Sequence, residues 1–161
     1  MAYRLRTIFA ALALVGVDQG LKYWASAVLQ PVGTMPLIPH VVGLRFVLNN
    51  GAAFGMLAGK QVFLQVITGV ALLAMLIYLL RKKPASKLEY TAFLLVFAGG
   101  VGNMVDRVLN GVVVDYIELL FMNFAVFNFA DILVCVGVGL LFIALLAPEI
   151  KKMGTKHDAE V

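Results

Sequence analysis

The chain has 161 residues, 62% of them hydrophobic and only 14% charged, with a formal net charge of +4. Its mean hydropathy is +0.96, whereas a water-soluble domain is nearer half apolar and a quarter charged. No interior built from a chain this short hides so much apolar surface, so soluble classes are excluded and an integral membrane protein is expected.

The first apolar segment runs from Ile8 to Val28. Its basic start and the small residues at Ala25 to Ala27 match a removable signal peptide. Asp18 and Lys22 interrupt the run before that site, so a retained helix is the expectation. These two residues stand four apart and can pair on one helix face. The connection from Gln30 to Gln61 is long and holds Gly, Pro and Asn. Within it "LRFVLNN" has strand character, and Leu44 to Phe54 is expected to form a small β-like platform. The second apolar segment is Val62 to Leu80, followed by the short basic connection Arg81 to Lys87.

The third segment, Leu88 to Val108, contains "AGGVGNMVDR". Gly99, Gly100 and Gly102 would let a neighbouring helix approach closely. Asn103, Asp106 and Arg107 fall at i, i+3 and i+4 and share a face, while Asp106 and Arg107, being adjacent, cannot stack on each other. The connection Asn110 to Val126 carries Asp115, and the fourth segment, Phe127 to Ala147, carries Asp131 near its start. A polar tail, 150–161, follows. Each apolar segment is close to the roughly 20 residues a helix needs to cross a bilayer. The expected fold is therefore an all-α membrane protein of one domain, 1–161, with four transmembrane helices and the platform between the first two.

Charge sets the expected orientation. Arg4, Arg6, Arg81, Lys82, Lys83, Lys87, Lys151, Lys152 and Lys156 all fall on one side of this four-helix scheme. Excess Lys and Arg mark the cytoplasmic side, so both termini are expected in the cytoplasm and the two long connections outside. Basic residues at membrane borders imply no nucleic-acid partner. Five carboxylates, Asp18, Asp106, Asp115, Glu118 and Asp131, gather toward the outer end. Ionisable groups in membrane segments usually face a protein interior or cavity and mark function. No close set of zinc ligands, nucleophile elbow or glycine-rich nucleotide loop stands among them, and Cys135, in an apolar run, reads as a small membrane-buried hydrophobe.

Four blocks carry a family resemblance, in order and over nearly the whole chain. "VDQGLKYW" (Val17 to Trp24), "NNGAAFG" (Asn49 to Gly55), "GGVGNMVDRVLNGVVVDY" (Gly99 to Tyr116) and "FNFADILV" (Phe127 to Val134) resemble the motifs of the lipoprotein signal peptidases, or signal peptidase II. The resemblance implies a catalytic aspartate pair, Asp115 and Asp131, with Asn50, Gly99, Asn103, Asp106, Arg107, Asn128, Asp18 and Lys22 as substrate-binding or supporting residues. It implies cleavage of diacylglyceryl-modified prolipoproteins just before the lipidated cysteine, at the outer face of a bacterial cytoplasmic (inner) membrane. Implied partners are those substrates, membrane lipids and cyclic peptide inhibitors of the globomycin type; no metal or other cofactor is implied. Tyr116 departs from the pattern, which has phenylalanine there, and the segment between the two aspartates is short for the family.

The residue types fit that chemistry independently. Two adjacent carboxylates cannot both ionise easily, so one keeps a proton while the other takes one from water. Two other classes stay open on the sequence. Intramembrane Asp, Asn and Gly also build proton- or ion-coupled transporters. In a non-catalytic assembly factor, Asp131 would serve as a helix cap.

Overall fold

In the computed structural model the described residues are 2–51, 60–81, 84 and 86–157. Ala52, Ala53, Phe54 and Gly55 of the second motif, Lys82 and Lys83 of the basic connection, and 158–161 of the tail lie outside them. Helix α1 spans Ala2–Trp24, continues through a π-helical turn, Ala25–Leu29, and ends in the short α2, Gln30–Val32. Strands β1 (Thr34–Ile38) and β2 (Val42–Asn49) follow, then α3 (Gln61–Arg81), α4 (Lys87–Asn110), β3 (Val113–Leu119) and α5 (Phe129–His157).

Among the described residues, three helical stretches are long and apolar enough to cross a membrane: Val62–Arg81, Lys87–Asn110 and Phe129–Leu146. Their outward faces are apolar, with Val62 72% and Phe142 62% exposed. α1, which carries Arg4, Arg6, Asp18 and Lys22, is not among the three. At the other end of the chain α5 continues to His157, so residues 150–157 of the polar tail are its last turns. Lys and Met there are sound helix formers.

Local sequence sets where α4 begins and ends. The hydroxyl of Ser86 accepts from the Glu89 backbone N–H at 3.0 Å, half of a Ser-x-x-Glu capping box. Gly111 closes the helix at φ 71°, its N–H bonded to the Arg107 carbonyl, a left-handed cap that glycine adopts without a steric penalty. That turn sends the chain directly into β3.

The expected platform is more extensive than the sequence suggested. β1 and β2 pair antiparallel, but β2 also pairs antiparallel with β3, which follows α4. The all-α expectation with a platform confined to the first connection is thus corrected to a helical protein with a three-stranded sheet of order β1-β2-β3. The cause is plain in retrospect: "VVVDYIEL" is rich in β-branched and aromatic residues, which suit a pleated, half-buried surface. Ala25, Leu29, Leu44, Val114 and Tyr116 form a core beneath the sheet. α4 is the central helix and packs against α1, α3 and α5. Val47 stands opposite Asp115 in the β2–β3 register. The sheet thereby carries Asp115 to the end of the bundle where α4 finishes and α5 begins.

Candidate active site

α1 and α4 meet through a buried polar lattice. Asp18 and Lys22 form the ion pair that their spacing predicts, at 2.9 Å. The Lys22 ammonium also reaches Asp106 at 3.1 Å and donates to the Asn103 side-chain oxygen at 2.9 Å. Asp18 accepts the Ala130 backbone N–H at 3.0 Å, tying α1 to the first turn of α5. Asp106 accepts the Val114 backbone N–H at 3.1 Å, tying α4 to β3. Both carboxylates are therefore matched by a cation and a backbone donor, which is what buried charge requires. Gly102 and Gly99 make the lattice sterically feasible. A Cβ at Gly102 would collide with the Asp18 carboxylate, and one at Gly99 with the Ala130 carbonyl.

Asn103 and Asn128 carry the lattice to a second pair of carboxylates. Asn103 donates to Asp131 at 2.7 Å. Asn128 donates through its side chain to Asp115 at 2.6 Å and to the Asn103 oxygen at 3.1 Å. It precedes α5 and exchanges two hydrogen bonds with Asp131. Its backbone N–H donates to one Asp131 oxygen and its side-chain oxygen accepts the Asp131 N–H, both at 3.0 Å. This reciprocal capping geometry fixes the Asp131 side chain at the start of the helix.

Asp115 and Asp131 line one cavity of about 550 Å³, together with Asn49, Asn103, Arg107, Thr68 and Gly100. Its remaining walls, from 124–127 and α5, are apolar, and Cys135 lies there within the apolar stretch Phe129–Leu146. A second cavity of about 470 Å³ lies over the sheet and shares Asp115 and Asn49 with the first. Burial pushes the Asp115 carboxyl up to about 6, and the nearby charge of Asp131 adds to that rise. Desolvation disfavours the charged form, and a neighbouring carboxylate does the same.

Of the remaining candidates, Arg107 holds the Gly51 carbonyl at 3.1 Å, a loop-anchoring contact open to its charged fork. Asn50 lines only the second cavity. Its neighbour Asn49 instead donates to Asp115 at 2.9 Å. Strand alternation puts Asn49 on the same face as Val47, the residue opposite Asp115. Gln19 was missed, although it belongs to the first motif; its amide contacts Asp18, Asp106 and the Gly102 carbonyl, each at 3.1 Å. Tyr116, the departure from the family pattern, uses its phenol oxygen to accept the Phe129 N–H at 3.3 Å, a contact phenylalanine could not make.

Comparison with known proteins decides the family. The family model described as signal peptidase (SPase) II matches residues 10–147. The chain belongs to the signal peptidase II family. It is 39% identical over 140 residues to the lipoprotein signal peptidase of Streptococcus thermophilus, covering 87% of this chain and 92% of that protein. Against the lipoprotein signal peptidase of Staphylococcus aureus it is 36% identical over 157 residues, covering 96% and 94%. A bacterial membrane enzyme solved by the in meso method at 2.3 Å resolution superposes with a TM-score of 0.83 at 37% identity, covering 91% of each chain. The four motif blocks thus belong to a family likeness that extends through the fold.

Proposed function

We propose that this chain is an aspartic endopeptidase that removes the signal peptide from diacylglyceryl-modified prolipoproteins, cutting before the lipidated cysteine. The observation that carries the reading is one cavity lined by both Asp115 and Asp131, with Asn128 bonded to each. One carboxylate, ionised, takes a proton from water as the water oxygen attacks the scissile carbonyl. The other, protonated, donates to the developing oxyanion. Collapse of the tetrahedral intermediate breaks the C–N bond, and a proton passes to the departing amine of the cysteine. No acyl-enzyme forms, because the nucleophile is water.

Topology supports the same reading. α1 is the fourth span in this proposal. Its charges at Asp18 and Lys22 are turned inward, 0% and 3% exposed, and neutralise one another. Its outward face carries Leu5, Phe9 and Leu12, all exposed. With the basic ends of the helices in the cytoplasm, the sheet and the aspartate pair lie at the outer surface of the bacterial cytoplasmic membrane, where water is at hand. The apolar walls of the larger cavity, beside α3 and α5, suit the lipid chains and signal helix of a substrate arriving sideways from the bilayer. Cyclic peptide inhibitors of the globomycin type would compete for that space. The transporter reading has no support from the comparisons.

The test is cleavage of a diacylglyceryl-modified precursor by the purified, reconstituted protein. Release of a product that begins at the modified cysteine is the expected result. An uncut lipidated precursor in the presence of folded protein would refute the proposal.

A further inference from the structure

The two aspartates differ in their surroundings, and the difference originates in a residue distant from the cavity. Lys22 is an ammonium and can only donate. Its bond to Asn103 therefore turns the amide oxygen toward α1 and the amide nitrogen toward Asp131. Asn128 is fixed in the same manner, because its oxygen accepts the Asp131 backbone N–H. Neither amide can flip without setting a donor against a donor.

From this geometry we infer that Asp131 is the general base and Asp115 the general acid, with Lys22 and Asn103 as positioning residues for the base. The inference rests on the aspartic reading proposed above. Asp131 sits in the first turn of α5, where the helix dipole favours a carboxylate. Each of its oxygens accepts an N–H, one from Asn103 and one from the Asn128 backbone. Arg107 on α4 lines the same cavity. Asp131 is only partly buried, so water can reach it. Asp115 is 2% exposed, in mid-strand, with no helix terminus behind it. Its donors are the side-chain amides of Asn49 and Asn128. Burial lifts its carboxyl to about 6, against the ordinary carboxylate range.

The other charged or titratable groups nearby do not reverse the asymmetry. Lys22 on α1 pairs with both Asp18 on α1 and Asp106 on α4 and is fully engaged there, one formal negative charge remaining in that lattice. Tyr116 on β3 accepts a hydrogen bond from Phe129. The working state thus has the ionised Asp131 drawing a proton from water while the Asp115 proton goes to the carbonyl oxygen. As the C–N bond breaks, Asp131 returns its proton to the amine, and a hydroxyl of the collapsing gem-diol returns a proton to Asp115. Protons balance over the cycle, one water being consumed.

The experiment is the pH profile of kcat/KM for the full chain reconstituted in lipid and acting on a lipidated precursor. The ascending limb reports ionisation of the base, and the descending limb reports loss of the acid's proton. Asn103→Asp keeps a partner for Lys22 but removes the donor to Asp131 and adds like charge beside it. The ascending limb should rise by about one pH unit or more while the descending limb moves less. Asn49→Asp treats Asp115 in the same way and should raise the descending limb instead. The opposite pattern would exchange the roles, and limbs unmoved in both folded variants would make the amides structural only. Should Asn103→Asp fail to fold, isotope-edited infrared spectra of Asp115→Asn and Asp131→Asn at about pH 5 decide. The protonated-carboxyl band should vanish in Asp115→Asn and persist in Asp131→Asn; the reverse result overturns the assignment. Failure of the aspartic reading itself would look different, because cleavage would then survive in one of those two variants.

Discussion

Two carboxylate pairs lie close together in this protein and are treated in opposite ways. Asp18 and Asp106 share the Lys22 ammonium, and each also accepts a backbone N–H from another element. Asp115 and Asp131 form no ion pair among the described residues; their side-chain partners are the amides of Asn49, Asn103 and Asn128, and both face a cavity. The first pair is saturated and dry, which is how buried charge fastens helices together. The second is held in place by donors that set geometry without neutralising charge, which leaves a proton to be shared. The contrast separates a residue set that holds the fold from one that, in the proposed reaction, exchanges protons.

The largest effect should come from breaking the saturated pair. Lys22→Met leaves two buried carboxylates without their cation, and breaking a buried ion pair costs about 3–5 kcal/mol. Folded yield and melting temperature in detergent should both drop sharply. Retention of wild-type stability would mean that the lattice does not hold α1 to α4. Gly102→Ala is expected to do less, because it introduces one methyl group against the Asp18 carboxylate. Overpacking of this kind costs about 1–3 kcal/mol, and the same melting measurement reads it.

Much of the first pair was legible in the sequence. The i, i+4 spacing of Asp18 and Lys22 required only helical periodicity, and the shared face of Asn103 and Asp106 required the same. What joins them was not legible. That Lys22 also meets Asp106, and that Asp18 caps onto Ala130, depends on how α1, α4 and α5 pack. Hydrophobic runs mark the helices without fixing their rotation about one another. The sheet shows a different limit. The composition of β3 was visible, but its pairing with β2 joins segments far apart in the chain, and register of that kind has no local signature. The motif resemblance singled out Asp115 and Asp131. The bond of Asn49 to Asp115 and the contacts of Gln19 were not legible, because they are set by strand register and by helix packing.

A smaller effect should separate the pairs by pH. Asp115 has an unfolded value near the usual 3.8 and a folded value of about 6. Its folded form therefore holds a proton that the unfolded chain has already released. Its contribution to stability is complete below about 4 and is lost as pH rises through about 6. The melting temperature should fall over that window, and Asp115→Asn should flatten the slope. An unchanged slope would remove Asp115 as its source. The smallest effect belongs to Arg45 and Glu118, which pair at 3.0 Å on the exposed sheet. An exposed pair contributes about 0–1 kcal/mol, so Arg45→Ala should scarcely move the melting point. A large loss there would show that the sheet depends on charge as the helix lattice does.

The most direct measurement is cleavage of a diacylglyceryl-modified precursor by Asp115→Asn, Asp131→Asn and the double variant, each with a melting curve and a substrate-binding assay. Asparagine keeps the shape of aspartate but cannot exchange the proton the reaction needs. All three variants should fold, bind substrate and fail to cleave it. The double variant should lose nothing beyond either single one, because the two carboxylates act as a unit. Full cleavage by either folded single variant would contradict the account.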